Sequence, residues 1–276
     1  MGRTVTGSRE LAEALAPIRG WVIDMDGVLY RGQTALPHVS RFLSTLDARD
    51  LPYILATNNS MQTPRQYVEK LARMGVTVRP ERILTSALAT AVWLKPRYPR
   101  GTPAYVVGMP ALEEAIYGDG YFVPATTGAR VVVSGLDLTL TYEKLKLADL
   151  ALRGGAAYVA TNADKTLPTE EGLLPGSGAI VAALTAASDV EPTIIGKPAT
   201  GMLEASLTEL GLPASRAAML GDRLDTDILG GNRAGMLTVM VLTGVNTLAD
   251  LAVSEIVPDV VVPDLAPLVA FYGETQ

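Results

Sequence analysis

The stretch WVIDMDGVLY at residues 21–30 joins a short apolar run to two carboxylates and a glycine. Functional groups in parallel sheets gather beyond the carboxyl ends of the strands, so this run predicts a strand that delivers Asp24 and Asp26 to that edge. Gly27 lets the backbone turn sharply, which allows both side chains to approach one small volume. Because two such carboxylates repel each other, the stretch predicts a divalent cation between them.

An ordinary turn is the alternative interpretation, since Asp and Gly commonly follow strands in loops. A calcium-binding EF-hand loop is excluded, because Val28 stands at its third ligand position and no acidic residue closes the loop. The tetrapeptide by itself does not decide between a functional site and a turn, and the other motifs of the chain must do so.

The composition restricts the chemistry that this chain of 276 residues can use. It has no cysteine, which excludes disulfides, thiolate metal sites and cysteine nucleophiles. Its one histidine, His38, cannot form a histidine metal cluster, and it follows Pro37 at a predicted helix start, where a surface role is expected. Catalysis is therefore expected to rest on carboxylates, hydroxyls and lysine.

Charge and hydropathy restrict the partners and the location. The formal net charge of −6 argues against nucleic acid or an anionic membrane as a partner. No apolar run is long enough to span a bilayer, and residues 1–8 are too polar for the apolar region of a signal peptide. We expect a cytoplasmic protein that acts on a small molecule.

Alternating strands and helices predict an α/β fold with a Rossmann-like parallel-sheet core. Core strands are expected at 21–23, 51–56, 193–195, 217–220, 237–242 and 260–262. Strands at 104–107, 130–133 and 158–160 predict a separate, inserted α/β domain. The predicted domains are therefore a core of residues 1–86 and 189–276 and an insertion of residues 87–188.

Two further motifs carry phosphate-binding chemistry. The residues Thr57, Asn58, Asn59 and Ser60 follow a predicted strand, and their hydroxyl, amide and N–H groups suit phosphate oxygens ahead of a helix N-terminus. A polar connecting loop is the alternative. Lys197 also follows a predicted strand, where its cation can neutralise a phosphate and a carboxylate. It is not part of a Walker A loop, because that motif requires glycine six positions earlier, where this chain has glutamate.

The last motif is acidic. Gly221 is followed by Asp222, Asp225 and Asp227 between a predicted strand and a helix, which is more negative charge than helix capping requires. We expect one of these carboxylates to bind a metal, and we interpret Asp225 as a solvated helix-start residue.

The four motifs, in this order, resemble those of the haloacid dehalogenase superfamily of phosphohydrolases, and within it the NagD-like group with a type IIA cap. The resemblance covers nearly the whole chain. Its four motifs match residues 24–30, 57–60, 196–198 and 221–227. The insertion resembles the cap, including Thr161-Asn162-Ala163-Asp164, where relatives commonly carry proline in place of Ala163.

The resemblance implies a mechanism based on two carboxylates. Asp24 would be the nucleophile that forms an aspartyl-phosphate, and Asp26 would protonate the leaving oxygen and then activate water. Mg²⁺ would be bound by the Asp24 carboxylate, the backbone carbonyl of Asp26 and the Asp222 carboxylate, and Asp227 would orient these groups. The phosphoryl oxygens would be bound by Thr57, Asn58, Asn59 and Lys197.

Specificity is expected to come from the cap, because the core motifs recognise only phosphate. Asn162 and Asp164 lie in its most polar loop and are expected to contact the remainder of the substrate, with a solvated turn as the alternative. The resemblance also implies dimerisation through the cap.

The sequence thus predicts a Mg²⁺-dependent phosphomonoesterase for a small phosphorylated metabolite. A phosphotransferase or phosphomutase of the same superfamily is the first alternative, and a non-catalytic phosphate-binding regulator, expected to lack Asp24 or Asp26, is the second. No Gly-x-Gly-x-x-Gly follows a strand, which argues against an NAD-dependent oxidoreductase. The substrate stays open among sugar phosphates, nucleotides, phosphoglycolate and pyridoxal phosphate.

Overall fold

The computed structural model describes residues 8–169 and 171–274. In these ranges the strands are β1 (Gly20–Ile23), β2 (Tyr30–Arg31), β3 (Thr34–Ala35), β4 (Tyr53–Thr57), β5 (Ile83–Thr85), β6 (Thr102–Val107), β7 (Phe122–Pro124), β8 (Val131–Ser134), β9 (Ala157–Ala160), β10 (Thr166–Thr169), β11 (Gly172–Pro175), β12 (Thr193–Ile194), β13 (Ala217–Gly221), β14 (Leu237–Val241) and β15 (Val260–Val262). The α-helices are α1 (Ser8–Leu15), α2 (Val39–Ala48), α3 (Pro64–Arg73), α4 (Ser86–Leu94), α5 (Pro110–Tyr117), α6 (Tyr142–Arg153), α7 (Ser177–Ser188), α8 (Gly201–Leu210), α9 (Leu229–Ala234), α10 (Leu248–Val253) and α11 (Ala266–Glu274).

The first sheet has the strand order β15-β14-β13-β1-β4-β5. β1 pairs in parallel with β13 on one side and β4 on the other, and β14 pairs in parallel with β13 and β15. All residues of β1, β4 and β13 are buried, which explains why these strands read as continuous apolar runs. The predicted α/β fold with a parallel-sheet core is confirmed.

Aromatic packing anchors the helices on one face of this sheet. Trp21 in β1 meets Phe42 of α2 and Tyr272 of α11 edge-on, with ring centroids 5.7 and 6.2 Å away. Its indole nitrogen donates to the Tyr272 hydroxyl over 3.1 Å, so the buried N–H has a partner. This packing holds the strand that precedes Asp24.

The second sheet has the order β12-β9-β8-β6-β7, and its four strand pairs are parallel. β12 corrects a prediction, because the strand expected in the core at residues 193–195 pairs instead with β9 of this sheet. A two-residue strand contains too little pattern to specify its neighbour, and the pairing is decided by the tertiary fold.

The chain divides into two compact units. Unit 1 holds the described residues up to Thr57, those of Pro64–Leu84 and those from Lys197 onward, whereas unit 2 holds Asn58–Thr63 and Thr85–Gly196. Unit 2 is wider than the insertion predicted at residues 87–188, since it includes β12 and the segment after Thr57. Within the described parts of the chain, no helix is long and apolar enough to cross a bilayer.

Candidate active site

Three carboxylates of unit 1 converge at the carboxyl end of the first sheet. Oxygens of Asp24, Asp222 and Asp227 all lie within 4.8 Å of one another. Asp24 and Asp222 directly follow the neighbouring parallel strands β1 and β13, so the sheet itself brings them to one edge. Asp227 comes from a π-helical turn at Leu224–Ile228, and its Oδ2 accepts from the backbone N–H of Asp222 over 3.3 Å.

Lys197 supplies the positive charge of this cluster. Its side chain is 1% exposed, and its Nζ lies 2.5 Å from Asp24 Oδ1 and 2.8 Å from Asp227 Oδ1. It also donates to the carbonyl oxygen of Ala56 at the end of β4 over 3.1 Å. Burial opposes the charged form, but Asp227 and Asp24 outweigh that effect and raise the pKa of Lys197 above its ordinary value. Lys197 is therefore a buried ammonium.

The carboxylates carry more charge than Lys197 can neutralise. Burial raises the pKa of Asp24 well above its usual range, Lys197 opposes this shift, and Asp227 and Asp222 add to it. Burial, followed by repulsion from Asp227, raises the pKa of Asp222 to about 7. Three carboxylates beside one ammonium leave a formal excess of two negative charges, which matches a divalent cation.

Asp222 is held by a loop that its sequence pattern did not predict. The backbone N–H of Val245 donates to Asp222 Oδ2 over 2.6 Å. A Cβ on Gly244 would lie 1.8 Å from that oxygen, and one on Gly27, whose φ is +82°, would lie 2.4 Å from it. Both glycines are therefore needed for backbone to approach this carboxylate. The loop follows β14 and binds through a backbone N–H, which leaves no signal in the side-chain pattern.

The second oxygen of Asp222 has no such support. Asp222 Oδ1 is buried and has no hydrogen-bond partner among the residues that the structure describes. A buried carboxylate oxygen without a partner is costly, so this atom is suited to a cation that the neighbouring carboxylates also face. Oxygen donors of this kind are those that Mg²⁺ prefers. The residues present therefore fit a magnesium ion.

Asp26 is exposed, whereas Asp24, two residues earlier, belongs to the cluster and pairs with Lys197. Partial desolvation by the surrounding protein raises the pKa of Asp26, and the ammonium of Lys70 opposes that shift. Lys70 projects from α3 with its Nζ 3.8 Å from the ring centroid of Tyr30. Lys70 was not predicted from the sequence, because one lysine on a helix with several charged residues gives no distinguishing signal.

Thr57 ends β4, next to β1 in the sheet. It is buried, and its side chain is hydrogen-bonded to the hydroxyl of Tyr67 on α3. Asn58 and Asn59, which were predicted to bind phosphate together with Thr57, belong to unit 2. The phosphate-binding roles of these three residues stay predictions.

Asp225 is exposed and pairs with Arg223 over 2.9 Å.

Comparisons with known proteins identify the family of this chain. A family model described as haloacid dehalogenase-like hydrolase matches residues 21–121, and a second, described as HAD-hydrolase-like, matches residues 194–268. The acid sugar phosphatase of Staphylococcus epidermidis is 39% identical over 252 residues, which cover 91% of this chain and 97% of that protein. The chain belongs to the haloacid dehalogenase-like hydrolases.

Solved structures of this hydrolase family show the NagD-like relationship. NagD from E. coli K-12 is 32% identical with a TM-score of 0.84, covering 90% of this chain and 97% of that one. The glycerol phosphate phosphatase of Mycobacterium tuberculosis, solved in complex with magnesium, is 35% identical with a TM-score of 0.85, covering 92% and 77%. The chain is a NagD-like phosphatase, as the motifs predicted.

In this NagD-like phosphatase, the predicted substrate loop of unit 2 is already engaged in contacts within that unit. Asn162 is 4% exposed, and its Nδ2 donates to the carbonyl oxygen of Asn58 over 2.7 Å. The carboxylate of Asp164 accepts from Asn58 Nδ2 over 3.3 Å. Contact of Asn162 and Asp164 with a substrate stays a prediction.

Proposed function

We propose that this chain is a Mg²⁺-dependent phosphomonoesterase that hydrolyses a small, hydroxylated phosphate ester through an aspartyl-phosphate. The observation that carries the proposal is the convergence of the Asp24, Asp222 and Asp227 carboxylates around the buried ammonium of Lys197. A buried excess of negative charge, with one carboxylate oxygen lacking a partner, suits a divalent cation and an anionic substrate.

The chemistry follows from the positions of the two carboxylates of the first motif. An oxygen of Asp24 attacks phosphorus, the bond from phosphorus to the ester oxygen breaks, and the Asp26 carboxyl gives its proton to the departing alkoxide. Asp26 then takes a proton from water, the water oxygen attacks phosphorus, and the bond to Asp24 breaks to release phosphate. The raised pKa of Asp26 suits a group that must first be protonated.

The other residues bind and orient. Asp24, the Asp26 backbone carbonyl and Asp222 would hold Mg²⁺, and Asp227 would fix Lys197 and the backbone beside Asp222. When bound, Mg²⁺ reduces the repulsion between an anionic nucleophile and an anionic phosphoryl group. Lys197 and Thr57 would bind phosphoryl oxygens, where positive charge and N–H or O–H donors matter most during transfer.

The substrate class rests on the relatives. Proteins similar to this one are named acid sugar phosphatase and glycerol phosphate phosphatase, and both names describe esters with several hydroxyl groups. We therefore propose a sugar or polyol phosphate. Dimerisation through the cap and a cytoplasmic location stay predictions.

Phosphate release from p-nitrophenyl phosphate tests the activity, and a panel of sugar and polyol phosphates, nucleotides, phosphoglycolate and pyridoxal phosphate tests the substrate class. We expect turnover with Mg²⁺, none after EDTA, and recovery when Mg²⁺ is restored in excess. Product analysis with glycerol as an added acceptor separates hydrolysis from phosphotransfer. A protein that binds phosphate esters but releases none in the presence of Mg²⁺ would contradict the proposal.

A further inference from the structure

Asn58 is tied to a distant loop of its own unit by both its backbone and its side chain. Its carbonyl oxygen accepts from Asn162 Nδ2 over 2.7 Å and from Ser86 Oγ over 2.6 Å. Its side-chain Nδ2 lies 3.3 Å from both carboxylate oxygens of Asp164. Asn58 and Asn162 are 104 positions apart, so this is a tertiary contact and not a local turn.

The same loop packs against the segment that leads to Lys197. The backbone N–H of Gly196 donates to the carbonyl oxygen of Thr161 over 2.8 Å. A Cβ on Gly196 would lie 2.6 Å from Asn58 Oδ1, 2.6 Å from the Thr161 carbonyl oxygen and 3.0 Å from Asn162 Cβ. A side chain at position 196 would collide with the Thr161 carbonyl oxygen and with the side chain of Asn58, so glycine is what allows this close approach.

The loop itself is held from its other side. The backbone N–H of Asp164 donates to Asn162 Oδ1 over 3.1 Å, which fixes the amide of Asn162. The carbonyl oxygen of Asp164 accepts from the backbone N–H of Gly178, at the start of α7, over 2.9 Å. Asn162 is therefore a fixed donor that holds Asn58.

The covalent neighbours of this junction give it a consequence for catalysis. Asn58 is bonded to Thr57, and Gly196 is bonded to Lys197. Thr57 and Lys197 are the two residues proposed to bind the phosphoryl oxygens. We infer that Asn162 and Asp164 are positioning residues, which fix the backbone of Asn58 and Gly196 and thereby align the phosphate ligands next to them. This inference rests on the proposed function, and it assigns the loop a role other than contact with the leaving group.

The most specific variant is Asn162→Asp. It keeps the shape of the side chain and the oxygen that accepts from the backbone N–H of Asp164. It replaces the amide donor with an oxygen that faces the Asn58 carbonyl oxygen. Misalignment of catalytic groups by about 1 Å costs up to about a hundredfold in rate. We expect kcat/KM to fall about tenfold to a hundredfold, and by the same factor, for p-nitrophenyl phosphate and for glycerol 3-phosphate. Asp164→Ala should act in the same way, and Asp164→Asn, which can still accept from Asn58, should restore most of the activity.

Tyr158→Phe is the matched control. Tyr158 lies in β9, the strand before the loop, and the substitution removes its buried 3.0 Å hydrogen bond to Ser134 of β8 without changing Asn58 or Gly196. We expect it to lower Tm as Asn162→Asp does but to leave kcat/KM within about threefold of wild type. Hydrogen exchange should quicken in peptides covering 57–60 and 195–198 for Asn162→Asp alone.

Three results would overturn the inference. A fall in kcat/KM confined to glycerol 3-phosphate would assign the loop to the leaving group, and a fall no larger than that of Tyr158→Phe would leave the loop only a structural role. Unchanged hydrogen exchange in both peptides would show that the loop does not fix these segments. If the wild type hydrolyses no phosphate ester, the proposed function fails, and the exchange comparison alone decides whether the loop fixes these two segments.

Discussion

The ammonium of Lys197 lies 2.5 Å from a carboxylate oxygen of Asp24, although the two residues are 173 positions apart. A buried cation needs partners of this kind, because removing either side of a buried ion pair leaves an uncompensated charge. Asp227 supplies the second partner over 2.8 Å. The relationship places a positive charge beside the proposed nucleophile, where an incoming phosphoryl group would share it.

Lys197→Met should lower kcat for p-nitrophenyl phosphate by at least about 10²-fold, since one donor to the developing charge is typically worth that much. Mg²⁺ binding, followed by calorimetry, should persist because the carboxylates remain. Lys95→Met is the control, since Lys95 forms an exposed ion pair with Asp119 and should not affect kcat. A Lys197→Met enzyme with the kcat of wild type would refute the assignment.

Asp24→Asn should abolish turnover, because an amide is a poor nucleophile and a poor ligand for a cation. Asp26→Asn should lower the rate by about 10²- to 10⁴-fold, the usual value of proton transfer by a side chain. Mass spectrometry of wild type quenched in acid during turnover should find phosphate on the peptide that contains Asp24. Asp225→Asn, at an exposed position paired with Arg223, serves as the control. Phosphate trapped on any other residue would require a new assignment of the nucleophile.

Gly244→Ala should raise the Mg²⁺ concentration needed for half-maximal activity by about tenfold or more. Its new Cβ would lie 1.8 Å from Asp222 Oδ2, so the carboxylate or the loop must move. Calorimetric titration with Mg²⁺ measures the affinity directly. Gly273→Ala, where a Cβ would meet no atom within 4 Å, is the matched substitution and should change nothing. Equal affinities in the two variants would show that the loop does not hold Asp222.

Lys70→Met should shift the pH dependence of kcat/KM to higher pH. Lys70 lowers the pKa of Asp26, against the effect of desolvation, so its removal lets that pKa rise further. Asp26 then keeps its proton to a higher pH, and the limb of the profile that reports its deprotonation moves in the alkaline direction. Lys70→Arg retains the charge and should leave the limb near its wild-type position. The profiles are measured at saturating Mg²⁺, and a shift to lower pH in Lys70→Met would contradict the assignment.

The sequence alone predicted that several candidate site residues lie at one edge of the first sheet, for a physical reason. Asp24, Thr57 and Asp222 each lie at or directly after the end of an apolar strand, and the ends of parallel strands meet at one edge of a sheet. The position of a residue at the end of such a strand therefore predicts where that residue lies in the fold. The exposed, Arg223-paired position of Asp225 is likewise consistent with its interpretation as a solvated residue.

Tertiary structure decided the features whose partners are far away or act through the backbone. The pairing of Thr193–Ile194 with β9 depends on which strand edge is free, and two residues cannot encode that choice. The Val245 N–H that holds Asp222 is present in every residue type except proline, so no side-chain pattern reveals it. Asn162 was identified as a polar loop residue, but its contact with Asn58 across 104 positions exists only because the fold of unit 2 brings the two segments together.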